Sequence, residues 1–312
     1  MTTELKLKEL SKKELLLTAG HRMCAGCGAP TVVKMVLLAA EHPVVAANAT
    51  GCLEVSTCIS EYTAWKIPWI HSAFENAGAT ISGVETMYRA LRKKGKMDRE
   101  VKFIAFGGDG GTYDIGLQSL SGAMERGHAM LYVCYDNGAY MNTGIQRSSA
   151  TPRGADTTTS PAGSVVAGKT QRRKDLTRIM AAHNIPYAAQ VSPSHWLDLM
   201  KKVRKALSKN GPAFINALSP CNRGWRSRTD DSIALSRLAV ETCYWPLYEI
   251  EDGALRLTVK PKEKKPLPEF LKPQGRFKHL FAPENEPVLK QLQADVDTEW
   301  ERLLKESAQN KE

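Results

Sequence analysis

The sequence has no apolar run that approaches the ~18–20 residues of a membrane-spanning helix. Its first twenty residues, MTTELKLKELSKKELLLTAG, lack the apolar core and the cleavage site of a secretory signal. We therefore expect a cytoplasmic protein that does not bind membranes. Disulfides are rare in that compartment, so any cluster among the seven cysteines is weighed as a set of metal ligands.

Acidic residues are in deficit, with 33 Asp and Glu against 43 Lys and Arg, which gives a net charge of +10. Such an excess suits an acidic partner, a nucleic acid or an anionic cofactor, and it does not choose among them. With 312 residues, 42% of them hydrophobic, the chain can form one large α/β domain with extensions. We predict an N-terminal arm at 1–20, the domain that carries the candidate site at 21–259, and a Lys/Pro-rich linker with a charged helix for subunit docking at 260–312.

A glycine-rich stretch follows a predicted strand near residue 100. Residues 101–106 are apolar and rich in β-formers, which indicates a buried parallel strand, and residues 107–111 then break it. Gly108 and Gly110 let backbone N–H groups approach phosphate oxygens, and Asp109 between them offers a carboxylate oxygen to Mg²⁺. The stretch is typical of a cradle for a diphosphate and its metal ion.

An asparagine at a fixed distance strengthens this interpretation. A predicted helix at 115–126 leads to an apolar strand at 130–135, which delivers Asn137 as a second oxygen ligand. The 26 residues between Gly110 and Asn137 resemble the spacing of the thiamine diphosphate motif. Without Asn137, a glycine-rich turn with a capping aspartate would be favoured. A dinucleotide fold fits less well, because Tyr113 stands where its third glycine belongs.

The cysteines form a second candidate site. Cys24, Cys27 and Cys52 are spaced as C-x₂-C-x₂₄-C, and Cys221 follows a later predicted strand. Four thiolates can close a tetrahedral zinc site or bind a [4Fe–4S] cluster. Cys58 is the rival fourth ligand. Two further cysteines are predicted to be plain core residues: Cys134 and Cys243.

Cys52, Asp109, Asn137 and Cys221 all follow predicted strands, at 43–48, 101–106, 130–135 and 213–218. The carboxyl ends of parallel strands share the edge where open α/β sheets bind ligands, so we expect these residues to lie near one another. A further strand is predicted at 187–191 and a hairpin at 247–259. Helices are predicted at 30–42, 79–92, 175–183, 195–207, 232–243 and 286–307.

A long segment at 140–169 is rich in Gly, Ser, Thr and Pro and has almost no apolar periodicity. Loops of this length are either functional or disordered. Because the segment starts directly after Asn137, we predict an ordered active-site loop that carries Asn142, Thr143 and Gln146.

Residues 20–251 resemble the β subunit of the 2-oxoacid:ferredoxin oxidoreductases. The resemblance is carried by HRMCAGCG, NATGC, WIHSAFENA, GGDGGTYDIG, DNGAYMNTGIQRSSATP and SPC-x-x-GW. It implies the thiamine diphosphate-binding α/β fold, with a mainly parallel sheet sandwiched between helices, N- and C-terminal extensions, and an active site shared with a second chain.

The resemblance also implies roles for particular residues. Asp109, Asn137 and the carbonyl group of Ala139 would hold Mg²⁺, and Asn142 would face the reacting centre as the catalytic residue. The [4Fe–4S] ligands would be Cys24, Cys27, Cys52 and Cys221. We expect the remaining cofactor contacts from Gly51, Glu75, Asn76, Gly108, Gly110, Gly111 and Thr143.

The implied reaction is oxidative decarboxylation of a 2-oxoacid with coenzyme A, with electrons passing through the cluster to ferredoxin. Pyruvate ranks first by family frequency alone, and oxalate oxidation without coenzyme A is the alternative. We identify neither the carboxylate that serves the aminopyrimidine nor the C-x₂-C-x₂-C runs of a ferredoxin-like domain. We therefore expect a pyrimidine-binding α-type subunit, a γ-type subunit and a ferredoxin-like subunit as partners.

A zinc-stabilised nucleic-acid-binding domain is the rival from another class of protein. The basic charge and the Cys-x-x-Cys favour it. It leaves the spacing of Asp109 and Asn137 unexplained, and the basic residues are spread along the chain and form no single block. We therefore predict no nucleic-acid partner.

Overall fold

The fold is seen in a computed structural model that describes residues 5–310. Its centre is an eight-stranded sheet in the order β10-β9-β7-β8-β6-β5-β1-β4, and β2 and β3 form a small separate hairpin. The strands are β1 (Val44–Ala49), β2 (Cys58–Ile59), β3 (Tyr62–Thr63), β4 (Trp69–Ser72), β5 (Lys102–Gly108), β6 (Leu131–Asp136), β7 (Tyr187–Val191), β8 (Ala213–Leu218), β9 (Leu247–Glu251) and β10 (Ala254–Val259).

The sheet is parallel from β4 through β1, β5, β6 and β8 to β7. Strand β9 pairs antiparallel with both of its neighbours, β7 and β10. The strands predicted at 43–48, 101–106, 130–135, 187–191 and 213–218 are confirmed, as is the hairpin that turns at Asp252 and Gly253. Strand β4 and the β2–β3 hairpin were not predicted. The predicted mainly parallel α/β sheet is therefore correct.

The longer helices also match the sequence pattern. The α-helices are α1 (Leu7–Leu10), α2 (Gly28–Ala39), α3 (Cys52–Thr57), α4 (Ala77–Lys93), α5 (Leu117–Glu125), α6 (Leu176–Ala181), α7 (Trp196–Ser208), α8 (Asn222–Trp225), α9 (Ser232–Glu241), α10 (Leu267–Leu271) and α11 (Glu286–Gln309). A wide π-type turn at Gly110–Ile115 precedes α5, and 3₁₀ turns lie at Pro193–His195, Gly275–Phe281 and Pro283–Asn285. No helix among residues 5–310 is long and apolar enough to cross a bilayer.

Helices cover both faces of the sheet, because successive side chains of a strand point to opposite sides. On one face, Ile104 and Val133 pack with Val36 of α2 and Val203 of α7. On the other face, strand residues such as Ala105, Tyr132 and Phe214 pack with α4, α5, α6 and α11. Every residue of β6 and β8 is buried, as central strands of a two-sided sheet require.

The C-terminal residues fold onto their own chain. The segment predicted as a linker at 260–273 contains α10, in which Leu267, Phe270 and Leu271 are fully buried. Helix α11 packs along β10, where Ser307 Oγ accepts a hydrogen bond from the backbone N–H of Leu257 at 3.1 Å. Little in the sequence indicated this packing, because Lys and Pro dominate the composition of the predicted Lys/Pro-rich linker and three apolar side chains make the contacts.

The N-terminal arm also lies along the domain. Residues 1–4 of the predicted arm are outside the described residues. Leu17 is fully buried and pairs with Trp65, and the backbone N–H of Thr18 donates to the carbonyl oxygen of Ala64 at 2.8 Å. Docking of either extension onto another subunit stays a prediction.

Candidate active site

Four parallel strands bring the candidate residues to one edge of the sheet. Asp109 directly follows β5, and Asn137 directly follows β6. Cys52 begins α3 just after β1, and Cys221 lies shortly after the end of β8. Because these strands run parallel, their carboxyl ends share one edge, as the sequence predicted.

The turn after β5 has room for glycine only. A Cβ on Gly110 would lie 2.4 Å from the ring of Tyr140, and a Cβ on Gly111 would lie 2.9 Å from the carbonyl oxygen of Phe74. The rings of Phe74 and Tyr140 stack with their centroids 5.7 Å apart. They wall a narrow cleft whose floor is bare backbone, and backbone N–H groups in such turns bind anions. The cleft is also lined by Thr50, Gly51, Cys52, Gly108, Asp109, Asn137, Ala139, Met141, Asn142 and Thr143.

The side-chain amide of Asn137 faces two oxygen atoms. Its inward atom lies 2.9 Å from Asp109 Oδ1 and 2.9 Å from the carbonyl oxygen of Ala139. With Nδ2 in this position the amide donates to both oxygens, and with Oδ1 there three oxygen atoms converge. Adjacent ligands of an octahedral Mg²⁺, bonded at about 2.0–2.1 Å, lie about 2.9 Å apart. The arrangement therefore fits three neighbouring ligands of Mg²⁺.

Asp109 is a buried carboxylate without a cationic partner. Its side chain is 1% exposed, and no Lys, Arg or His lies within ion-pair distance of it among residues 5–310. Ser148 Oγ donates to one carboxylate oxygen, and the backbone N–H of Asn137 donates to the other at 3.3 Å. Burial and the nearby negative charge of Asp136 raise the pKa of Asp109 well above its usual range. A bound cation would favour the ionised form.

The loop that follows Asn137 is ordered and belongs to the site. Besides the contact of Ser148 with Asp109, Thr151 Oγ1 donates to the carbonyl oxygen of Gly138 at 2.7 Å. The backbone N–H of Ser149 donates to Asp114 at 2.9 Å, which fixes the loop to the turn after β5. The prediction that this loop is ordered is therefore confirmed, and its role in an active site stays a prediction.

Five predicted site residues lie at or near the margin of the cleft. Asn142 and Thr143 line its mouth and are exposed, and Gln146 Nε2 donates to the carbonyl oxygen of Thr143 at 2.8 Å. Glu75 and Asn76 lie outside the lining, at the start of α4, where their neighbour Phe74 forms the wall. Contact of Glu75 and Asn76 with the cofactor stays a prediction.

The first two cysteines lie on a tight turn that docks against the fourth. The backbone N–H of Cys27 donates to the carbonyl oxygen of Cys24 at 3.1 Å, and that of Gly28 donates to Pro220, next to Cys221, at 2.8 Å. A Cβ on Gly28 would lie 2.5 Å from the Pro220 ring, so only glycine allows this approach. The N–H of Gly224 points at Cys221 Sγ from 3.4 Å, a contact that stabilises a thiolate.

Neighbouring cysteines raise the pKa of Cys27 and of Cys52. Burial and the charges of the other three cysteines raise the pKa of Cys27 to about 12. Burial, Cys221 and Cys24 likewise raise the pKa of Cys52 to about 12. Cys58 is not among the main causes of either shift, and it lies instead in the β2–β3 hairpin. The grouping therefore favours Cys221 over Cys58 as the fourth ligand.

The spacing of the side chains bears on which metal centre they suit. Among residues 5–310, no three His, Cys, Asp or Glu side chains converge closely enough to hold a single metal ion. A single zinc requires all four ligand atoms within about 2.3 Å of one point, whereas each cysteine of a cubane binds a different iron. The choice of the cluster over zinc stays a prediction. Cys134 and Cys243 are buried in the core, as predicted.

Several contributing residues were not singled out from the sequence. Trp225 Nε1 donates to the carbonyl oxygen of Asn137 at 2.7 Å, which joins the segment after Cys221 to the Asn137 turn. Tyr140 walls the cleft and Ser148 donates to Asp109, and both belong to the quoted stretch DNGAYMNTGIQRSSATP. Their position in that stretch was the available signal, although it did not reveal which atoms they contact.

The comparisons with known proteins agree with this geometry. Residues 42–217 match the family described as thiamine pyrophosphate enzyme, C-terminal TPP binding domain. One chain of a 2-oxoglutarate:ferredoxin oxidoreductase from Magnetococcus marinus superposes with a TM-score of 0.53 at 19% identity, over 76% of this chain and 81% of that one, a likeness that shows the fold alone. The class is therefore a thiamine diphosphate-binding enzyme.

Closer relatives define the family. A Thermotoga maritima protein named pyruvate synthase subunit PorB is 57% identical over 95% of this chain and 94% of its own length. A Pyrococcus abyssi protein named ketoisovalerate oxidoreductase subunit VorB is 45% identical over 92% of each chain. The chain belongs to the 2-oxoacid:ferredoxin oxidoreductase family, as its thiamine diphosphate-binding β subunit. The comparisons favour this interpretation over a zinc-stabilised nucleic-acid-binding domain.

Proposed function

We propose that Asp109, Asn137 and the carbonyl group of Ala139 hold the Mg²⁺ that binds the diphosphate of thiamine diphosphate. The observation that carries the proposal is the pair of 2.9 Å separations around the Asn137 amide, which match the spacing of octahedral ligands. The raised pKa of the buried Asp109 supports it, because a cation would supply the partner that the carboxylate lacks.

The residues around this metal position bind and orient the cofactor. Gly110 and Gly111 leave the backbone open to the diphosphate, and the rings of Phe74 and Tyr140 keep the cleft narrow. Asn142 and Thr143, which line the mouth, would contact the substrate end of the cofactor. When bound, thiamine diphosphate supplies the carbon nucleophile that allows a 2-oxoacid to lose CO₂.

The same edge of the sheet would hold the [4Fe–4S] cluster through Cys24, Cys27, Cys52 and Cys221. Cys52 lines the cofactor cleft, and the charges of Cys24 and Cys221 help to raise its pKa. A cluster on these thiolates would therefore lie beside the cofactor, where it can accept electrons singly. The chain expressed alone and purified without oxygen should be brown and should contain about four irons. A colourless chain with one tightly held zinc would contradict the cluster.

We further propose that the chain works as one subunit of a larger complex. The relatives at 45–57% identity are named as subunits. The partners that would complete the site are a pyrimidine-binding α-type chain, a γ-type chain and a ferredoxin-like chain, with ferredoxin as the electron acceptor. Purification from the native source should give fixed stoichiometry with such chains, and full activity of the lone chain would contradict the proposal.

Pyruvate is the proposed substrate, and its oxidation with coenzyme A would give acetyl-CoA and CO₂. The support is the 57% identity to a pyruvate synthase subunit, against 45% to a ketoisovalerate oxidoreductase subunit. The test is an assay of the purified complex with pyruvate and coenzyme A, with ketoisovalerate and coenzyme A, and with oxalate alone. The highest kcat/KM should be that for pyruvate, and a preference for either other acid would reassign the substrate.

A further inference from the structure

Asp136 lies directly before the proposed ligand Asn137 and is itself buried, with 3% of its side chain exposed. One carboxylate oxygen, Oδ1, accepts the backbone N–H of Gly138 at 3.1 Å. The other, Oδ2, accepts the phenol of Tyr113 and a guanidinium N–H of Arg173, both at 2.6 Å. Asp136 therefore fixes the turn that presents both Asn137 and the carbonyl group of Ala139.

Arg173 is held in place from several sides. Its Nη2 atom donates to the phenol oxygen of Tyr113 at 2.8 Å as well as to Asp136. The same phenol oxygen accepts from Asn216 Nδ2 of β8 at 2.6 Å. The guanidinium lies 4.5 Å from the centre of the Trp245 ring, a cation–π distance. These contacts join the end of the active-site loop to the turn after β5 and to β8.

Removal of the guanidinium would leave Asp136 without its cation. Among residues 5–310, Arg173 is the only Lys, Arg or His within ion-pair distance of Asp136. Without it, Oδ2 loses one of its two donors, and the buried carboxylate is no longer held in one orientation. Rotation of the carboxylate would release the N–H of Gly138 from Oδ1.

We infer that Arg173 is a positioning residue for the metal site. Acting through Asp136, it holds the 136–139 turn so that Asn137 and the carbonyl group of Ala139 stay at ligand spacing from Asp109. This inference rests on the proposed Mg²⁺ and thiamine diphosphate site. Arg173 touches neither the metal ligands nor the cofactor cleft, since it is absent from the cleft lining.

The test compares substitutions at two adjacent arginines. Arg173→Met should weaken metal binding by about 10- to 100-fold, the range seen when groups that orient metal ligands are removed. Arg173→Lys keeps the charge but cannot reach Asp136 and Tyr113 with the same planar geometry, so it should lose about threefold to tenfold. Arg172→Met and Arg172→Lys are the matched controls, because Arg172 is exposed and pairs with Asp295 at 3.2 Å. Neither should change metal affinity by more than about twofold.

The measurement is the affinity for Mn²⁺, determined by electron paramagnetic resonance on the purified complex with saturating thiamine diphosphate. Affinities are expressed per folded protein, with folding checked by thermal unfolding, so a loss of stability alone does not alter the result. If Arg173→Met does not fold, Arg173→Lys against Arg172→Lys decides the question. Arg173 variants that match the Arg172 controls would overturn the positioning role. Failure of the unmodified complex to bind Mn²⁺ would instead overturn the metal site itself.

Discussion

Two buried carboxylates at opposite parts of the sheet have opposite surroundings. Glu249 in β9 is 3% exposed and accepts hydrogen bonds from Tyr187 at 2.6 Å and from Lys205 and Arg256 at 3.0 Å. Burial alone would raise the pKa of Glu249, but these three donors outweigh it and lower the pKa to about 2. Asp109 is as deeply buried, has no Lys, Arg or His within ion-pair distance among residues 5–310, and has a raised pKa.

The difference separates a structural carboxylate from a functional one. Around Glu249 the chain supplies both the negative charge and the cations that balance it. At the carboxyl edge of the parallel strands, a carboxylate, an amide and a carbonyl group converge. Among residues 5–310, no Lys, Arg or His lies within ion-pair distance of that carboxylate, Asp109. Such an imbalance of charge marks a functional site with a physical reason.

The largest expected effect comes from removing Asp109. Asp109→Ala should abolish Mg²⁺-dependent binding of thiamine diphosphate, since a hard-cation site loses its only carboxylate ligand. The fold should stay intact, although the unfolding midpoint should fall slightly, because Ser148 Oγ and the N–H of Asn137 lose a buried acceptor. The measurement is cofactor and Mg²⁺ content after purification, together with the unfolding midpoint.

Asp252→Ala serves as the matched control, because that aspartate lies at the exposed β9–β10 turn with 70% of its side chain accessible. It should change neither cofactor content nor the unfolding midpoint. Unchanged cofactor stoichiometry in Asp109→Ala would rule out its role as a ligand. It would also remove the contrast with Glu249.

A second test compares Cys221, the proposed fourth cluster ligand, with its rival Cys58. Cys221→Ser should lose cluster iron, because Cys221 is among the causes of the raised pKa of both Cys27 and Cys52. Cys58→Ser should keep it, since Cys58 lies in the β2–β3 hairpin and is not among the main causes of these shifts. Iron and sulfide analysis of the two anaerobically purified variants is the measurement. The reverse result would make Cys58 the fourth ligand.

The sequence predicted most of the sheet because parallel strands buried on both faces are continuous apolar runs. It also predicted the shared edge, since Asp109, Asn137 and Cys221 each directly follow or lie close behind such a run. Strand β4 was missed because two exposed residues and a tryptophan–proline context give it no apolar run. At this level, the positions of these strands along the chain and the edge shared by their carboxyl ends follow from local patterns.

Those patterns did not predict contacts between residues that lie far apart in the sequence. Glu249 and Arg256 look like ordinary charged residues of a hairpin, and only the fold brings Tyr187 and Lys205 to them. The pairing of Arg173 with Asp136 likewise spans a loop whose sequence has no periodicity. Whether a buried charge is balanced depends on such pairings, so the contrast between Asp109 and Glu249 required the structure.

A smaller effect is expected at the antiparallel end. Glu249→Gln removes a buried charge while Lys205 and Arg256 can still turn toward water, so the free energy of unfolding should fall by about 1–3 kcal/mol. Cofactor content should be unchanged, because Glu249 does not line the cofactor cleft. Glu251→Gln is the control on the same strand: its side chain is 36% exposed, and its loss should cost only about 0–1 kcal/mol. Equal losses in the two variants would show that burial of Glu249 adds nothing.

The smallest effect is a change with pH. The pKa of Glu249 is lowered to about 2 in the folded chain, while an unfolded glutamate titrates near about 4.3. A depressed pKa gives stability that is fully present above the unfolded value and is lost as the pH falls toward the folded value. The stability difference between the unsubstituted protein and Glu249→Gln should therefore be constant above about pH 5 and shrink between about pH 5 and pH 2. Urea unfolding at several pH values measures it, and a difference that does not change over this interval would mean that Glu249 gains no charged-state stabilisation from Lys205 and Arg256.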